Sequence, residues 1–176
     1  MTKGLKRLGY LALAALLSTA GAAFAQAPIK IGAVYSTSGA AGFLGDPEQK
    51  ALRMRVDAVN QRGGWKGRKL EVVIYDTEGN STKAGQHYRL LVDTDQVDVV
   101  FGPSSSGESL ALVALANESK VPTLMHGGAE AITKPPTTWV FNTPPTDRIA
   151  LSGLLSRMKK KGINTVAMMS AADGFG

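Results

Sequence analysis

The sequence predicts an α/β fold, a Rossmann-like open parallel sheet with helices on both faces. Short apolar segments rich in β-branched residues alternate along the chain with segments of helical periodicity. The strand segments are apolar almost throughout, which is typical of strands covered on both faces. None of the 176 residues is cysteine. Burial of an apolar core, rather than disulfide bonding, must therefore stabilise this fold.

The first 25 residues are expected to be a secretory signal peptide. Lys3, Lys6 and Arg7 precede an apolar stretch over 8–17, and Ala23-Phe24-Ala25 ends the segment with the A-x-A pattern of a cleavage site. The apolar stretch is shorter than the ~20 residues of a membrane helix, and a signal anchor is the alternative. We expect cleavage after Ala25 and a periplasmic location.

Two strand–helix pairs open the predicted fold. The strands, at 29–36 and 69–76, are apolar and rich in β-branched residues. The helices, at 47–61 and 83–95, carry apolar residues at helical spacing. Asp46 is the expected N-cap of the first helix, and Pro47 takes its first helical position. A Gly63-Gly64 pair ends that helix.

The same alternation continues up to a proline pair. A third strand is predicted at 97–102 and a third helix at 109–119. Two further strands are predicted at 121–127 and 138–145. Pro144-Pro145 stops the fifth strand, and a helix at 147–162 and a sixth strand at 164–170 follow. We expect one ligand-binding lobe over 26–145 and the start of a second, incomplete lobe over 146–176.

Small and hydroxylated residues follow several predicted strands at their carboxyl ends, where ligands bind in open parallel sheets. These loops cover 36–45, 102–107 and 127–129. In the second loop, Gly102-Pro103 turns the chain and Ser104, Ser105 and Ser106 enter the next helix. Serine hydroxyls and first-turn N–H groups at the positive helix end favour a carboxylate or other anion. Alternatively, one serine caps the helix and the others only shape the turn.

Other chemistries fit the sequence poorly. A serine nucleophile would need a G-x-S-x-G turn, but 102–107 reads GPSSSG, and His126 or His87 would have to act as the base. Phosphate-binding glycine motifs are absent. Two histidines without cysteine are too few for a zinc site unless carboxylates help. There is no clustered arginine patch for nucleic acid. We expect no enzyme activity, cofactor, metal or nucleic-acid partner.

Four motifs stand in a recognisable order. They are IKIGAVYSTSG, DAVNQRGGWKGRKLEVVIYD, FGPSSSGESLALVALANESKVPTL and ADGFG. This order resembles the solute-binding proteins of branched-chain amino-acid (Leu/Ile/Val) ABC importers, over 29–176. The resemblance implies a monomeric bilobal periplasmic protein that captures a small carboxylate-bearing solute and delivers it to a membrane permease. A ligand-sensing domain on the same fold and, less favoured, an exported serine hydrolase are the alternatives.

The resemblance also implies which residues contact the solute. They are Ser105, Ser106, Gly127, Ala129, Phe175 and Leu44. Three of them depart from the usual pattern of the family. Ala129 replaces a common threonine, Phe175 a common tyrosine and Leu44 a frequent aromatic residue. Because two hydroxyl groups are lost, the solute implied is either an amino acid or a hydrophobic or aromatic acid or amide.

Overall fold

A computed structural model describes residues 26–172, 174 and 175 of the chain. The predicted signal peptide lies outside the described residues. In chain order, the main elements are β1 (Ile29–Tyr35), α1 (Gly42–Gln61), β2 (Leu70–Asp76), α2 (Ser81–Arg89), β3 (Val99–Phe101), α3 (Ser106–Ser119), β4 (Thr123–Met125), β5 (Val140–Asn142) and α4 (Asp147–Lys160). A π-helical turn at Leu90–Thr94 extends α2, and a 3-10 turn at Glu130–Ile132 follows β4.

The five strands form one parallel sheet in the order β2-β1-β3-β4-β5. Helix α1 packs on β1 and β2, whereas α2 and α3 pack together on the opposite face. The predicted fold class is therefore confirmed. Because every strand runs in the same direction, the carboxyl ends of β1, β3 and β4 meet at one edge of the sheet.

The main core lies between the sheet and the α2–α3 pair. Val34, Val100, Leu91 and Leu112 are fully buried there. Leu91 sits directly over Gly32 of β1, where an added Cβ would lie 2.9 Å from a methyl group of Leu91. A side chain on that strand position would force the helix away, so Gly32 sets the closeness of α2 to the sheet.

Helix α1 begins five residues before the predicted start. Pro47 therefore lies inside the helix, and Asp46 is not its N-cap but pairs with Lys50 at 2.6 Å. The additional turn is possible because Gly45 packs directly on the backbone of Ser36, where an added Cβ would lie 2.2 Å from the carbonyl oxygen. This contact is between residues nine positions apart, so local helix signals did not predict it.

Helix α2 also begins earlier than predicted. Asn80 caps it, and its Oδ1 accepts hydrogen bonds from the N–H groups of Thr82 at 2.9 Å and Lys83 at 3.0 Å. The predicted sixth strand at 164–170 is wrong. These residues are exposed and make no strand pairing within the described part of the chain. Apolar composition alone does not make a strand when no neighbouring strand is available.

None of the helices in the described ranges is both long and apolar enough to cross a membrane.

Candidate ligand-binding site

A cavity of about 500 Å³ lies at the carboxyl edge of the sheet. Its wall consists of the start of α1, the serine loop before α3, the turn after β4, and Phe175. These are the positions at which the sequence predicted ligand-facing loops. Other cavities of about 320 to 540 Å³ lie on the outside of α2 and α3 and along α1. We take the cavity at the strand ends as the candidate site because of its position, not its size.

All of the predicted site residues except Ala129 line this cavity. Those that do are Leu44, Ser105, Ser106, Gly127 and Phe175. Ala129 lies just behind the wall, where its N–H donates a hydrogen bond to Ser106 Oγ at 3.2 Å. The structure thus brings residues from four separate segments of the chain to one place.

The serine loop is turned across the end of β1 by Gly102. This glycine has φ +93°, and an added Cβ would lie 2.2 Å from the carbonyl oxygen of Val34. Only glycine tolerates both the positive φ and this close approach. Ser105 then caps α3, its Oγ accepting from the N–H of Glu108 at 3.4 Å. The prediction that one serine caps the helix is confirmed.

Glu108 gathers the hydroxyl groups beneath the site. Its side chain is only 1% exposed. Its carboxylate accepts hydrogen bonds from Ser36 Oγ at 2.8 Å, from Ser105 Oγ at 2.6 Å and from Thr77 Oγ1. A buried carboxylate is costly unless it is hydrogen-bonded, and these three donors satisfy it. The hydroxyl proton of Ser105 is therefore used inside the protein.

Sequence reasoning missed Glu108. The available signal was the S-x-x-E spacing of a capping box, formed by Ser105 and Glu108. In the structure, this glutamate turns instead toward hydroxyl groups from the loops that follow β1 and β2. The sequence did not indicate these two partners, because they lie 72 and 31 residues away along the chain.

Ser106 is the serine whose hydroxyl group remains available. It is buried, and its Oγ accepts from Ala129 N–H, but its own proton has no acceptor among the described residues. Gly127 approaches its backbone so closely that an added Cβ would lie 2.7 Å from Ser106 Cα. The cavity wall therefore holds a hydroxyl donor beside the positive N-terminus of α3, a combination that favours an anionic group.

A second carboxylate links the serine loop to the turn after β4. Glu48 of α1 accepts a hydrogen bond from Ser104 Oγ at 2.5 Å, and Nδ1 of His126 lies 3.1 Å from its other oxygen. The ring of His126 packs against Tyr35, with ring centroids 5.6 Å apart. Burial, together with the charge of Glu48, raises the pKa of Tyr35.

This arrangement does not activate a serine. In a catalytic triad the histidine stands between the serine and the carboxylate. Here Ser104 and His126 both contact Glu48, so the carboxylate stands in the middle. Within the described residues there is also no group of three side chains that could hold a metal ion.

Asp76 shapes the loop that carries the α1 side of the cavity. Its carboxylate accepts hydrogen bonds from the N–H of Thr37 at 2.9 Å, from Ser38 Oγ at 2.5 Å and from the N–H of Glu78 at 2.9 Å. Partial burial raises the pKa of this carboxyl group, but the hydrogen bonds from Ser38, Glu78 and Thr37 outweigh burial and lower it to about 2.

The parallel sheet, with a donor-lined cavity at its carboxyl edge, has the arrangement by which open α/β sheets bind ligands. A sequence model of the periplasmic binding protein family matches residues 28–176. The chain belongs to this family, whose members are non-enzymatic solute-binding proteins.

Individual relatives agree with this assignment. Leu/Ile/Val-binding protein homolog 7 of Brucella suis is 34% identical over 157 residues, which are 89% of this chain and 39% of the relative. The isoleucine complex of LivJ, a branched-chain amino acid transporter substrate-binding protein of Streptococcus pneumoniae, is 32% identical with a TM-score of 0.66. The match covers 68% of this chain and 34% of LivJ.

An extracellular ligand-binding receptor of Rhodopseudomonas palustris is 31% identical with a TM-score of 0.70, over 78% of this chain and 37% of the receptor. The chain thus spans about two fifths or less of the length of these relatives.

Proposed function

We propose that the chain is the solute-binding component of an ABC importer, working in the periplasm and delivering a small carboxylate-bearing solute to a membrane permease. The observation that carries this proposal is the pairing of Ser106 with the turn at Gly127 beside the N-terminus of α3. Together they present donors to an anion at the edge where open parallel sheets bind ligands. The relatives named above support the same class of function.

The apolar part of the cavity favours a solute with a hydrophobic body. Phe43, Leu44 and Phe175 line it. LivJ, which is 32% identical to this chain over the part that matches, was crystallised with isoleucine. We therefore propose a hydrophobic amino acid, or an aromatic acid or amide, as the solute.

Capture would proceed by closure of two lobes. The lobe over 26–145 offers the donors, and the segment over 146–176 begins the facing lobe and brings Phe175 to the cavity. A solute that contacts both lobes stabilises the closed form, because its affinity for that form is higher. The closed form excludes water and is the form that we expect the permease to recognise.

A thermal-shift screen tests this proposal. The protein used is the full-length form, meaning the mature chain with any sequence encoded after Gly176, and the compounds are amino acids, aromatic acids and amides. A solute at 100 times its dissociation constant stabilises the folded state by about 2.7 kcal/mol. We expect a hydrophobic acid or amino acid to raise Tm and Ser106→Ala to reduce the effect. A response to none of these classes would contradict the proposal.

A further inference from the structure

The charges around the cavity pose a problem for a carboxylate ligand. Neither lysine nor arginine occurs among the described residues that line the cavity. The carboxylates of Glu48 and Glu108 lie directly behind the serine loop. Asp147 lies beside the turn after β4, because an added Cβ on Gly128 would be 2.5 Å from its carboxylate. An anionic solute therefore needs a positive group close by.

His126 is the one lining residue that can become positively charged. It follows β4 directly, and its backbone N–H donates to the carbonyl oxygen of Pro103 at 3.2 Å. Its Nδ1 faces Glu48, and its ring packs on Tyr35. The imidazole is thus held from the backbone, from α1 and from β1, and its orientation does not depend on a ligand.

The part of the chain that the structure describes leaves the other imidazole nitrogen of His126 available. No hydrogen bond joins Nε2 to any of the described residues. In contrast, the hydroxyl protons of Ser104 and Ser105 are committed to Glu48 and Glu108. Of the side chains that line the cavity, Ser106 and His126 are therefore the two with a polar function left for a ligand.

We propose that His126 anchors the solute, with Glu48 as the residue that positions it. When the imidazole is neutral, Nδ1–H donates to Glu48 and Nε2 presents only a lone pair. When it takes up one proton, Nε2–H becomes a donor to the solute carboxylate, and Glu48 balances the added charge. This inference rests on the proposed function and adds a specific residue and a proton to it.

The chemistry makes carboxylate binding depend on pH. Binding is expected to be tighter when the imidazole of His126 carries the added proton, and weaker as the pH rises and the ring becomes neutral. The charged and titratable groups that face the ring are Glu48 from α1 and Tyr35 from β1. Arg55, also on α1, lines a neighbouring groove that His126, Tyr35 and Glu48 line as well.

Calorimetry and NMR on the full-length form test the proposal, with L-isoleucine and benzoate as carboxylate probes and benzamide as a neutral probe. Probe concentrations up to ~20 mM detect even millimolar binding. We expect His126→Gln to weaken the carboxylate probe about tenfold and to remove its pH dependence. Glu48→Gln should act in the same direction. Benzamide binding should change little in either variant.

His87→Gln is the matched control. His87 is the other histidine of the chain, and its ring packs against Tyr75, away from the cavity. This variant should bind the probes as the wild type does. Imidazole resonances of His126 should shift when a carboxylate probe is added, together with the backbone amides of Ser106 and Gly127.

Two distinct failures are recognisable. If a probe shifts the Ser106 and Gly127 amides but His126→Gln binds it with unchanged affinity and pH dependence, the role of His126 is refuted and the proposed function stands. If neither carboxylate probe shifts any of these resonances at the highest concentration, the anchoring role is refuted as well. The broad thermal-shift screen then decides the proposed function independently.

Discussion

At the residue scale, the site depends on which hydroxyl protons the protein has already used. Ser105 was predicted as a ligand donor, yet its proton goes to Glu108, while Ser106 keeps its proton available. The sequence places three equivalent serines in a row and cannot distinguish them. The distinction comes from a buried carboxylate, whose other partners lie in the loops that follow β1 and β2.

Replacing Glu108 by alanine should destabilise the fold strongly. The hydroxyl groups of Ser36, Thr77 and Ser105 would lose their common acceptor in a buried place, and a cavity would remain. We expect a loss of about 3 kcal/mol in the free energy of unfolding, measured by urea denaturation. Glu118→Ala, on the exposed side of the same helix, should cost less than about 0.5 kcal/mol. Equal effects would contradict the role of Glu108.

Asp76 should make stability depend on acid. Its pKa is lowered to about 2 in the folded protein, below the ordinary value of about 3.9. Its contribution is therefore present above about pH 4 and is lost as the pH falls through about 2. Asp76→Asn should cost about 1 kcal/mol at pH 7, reduced by solvent screening, and clearly less at pH 2, where the carboxyl group is already partly protonated. Denaturation at several pH values measures this, with Asp57→Asn on exposed α1 as the control. A difference as large at pH 2 as at pH 7 would contradict it.

At the element scale, the alternation of strands and helices was predictable because each strand is apolar on both faces and each helix has its own periodicity. The parallel sheet and the three ligand-facing loops followed from that pattern. The start of α1 could not be predicted from that pattern, because it depends on the contact of Gly45 with Ser36 across the β1–α1 loop. The mistaken strand at 164–170 shows the same limit, because strand formation needs a partner that composition does not reveal.

Of the connections between strands and helices, the turn between β3 and α3 should tolerate substitution least. Gly102→Ala would force a side chain to 2.2 Å from the Val34 carbonyl oxygen at a positive φ. We expect a loss of about 3 kcal/mol or more in the free energy of unfolding, together with weaker solute binding.

Gly85→Ala is the matched comparison for this substitution. Its added Cβ would make an ordinary contact, 3.7 Å from Leu115, inside helix α2. Helix propensity predicts a gain of up to about 1 kcal/mol for this variant. Calorimetric unfolding of both variants distinguishes them, and similar effects would contradict the steric account of the turn.

At the scale of the whole molecule, the cavity offers one wall of donors and an incomplete apolar wall. Helix α4 exposes several large apolar side chains to solvent, namely Ile149, Leu151, Leu154 and Leu155. Exposed apolar surface of this kind is typical of an interaction surface. We propose that a facing lobe covers these residues and completes the site.

A chain of this extent alone should bind solute weakly. The closed state needs contacts from both lobes, and the chain covers about 39% of its Brucella relative. We expect the 176-residue chain to show a dissociation constant at least a hundredfold higher than the full-length form in calorimetric titrations. Micromolar binding by the 176-residue chain would contradict the need for the second lobe.

The central claim is that a small carboxylate-bearing solute binds against Ser106 at the carboxyl edge of the sheet. Calorimetric titration of the full-length form and its Ser106→Ala variant, with the acid that stabilises the protein most, tests it directly. We predict saturable one-to-one binding by the wild type and affinity reduced about tenfold or more in the variant. Equal affinity of the two proteins would contradict the claim, because the solute would then not use the donor that defines the site.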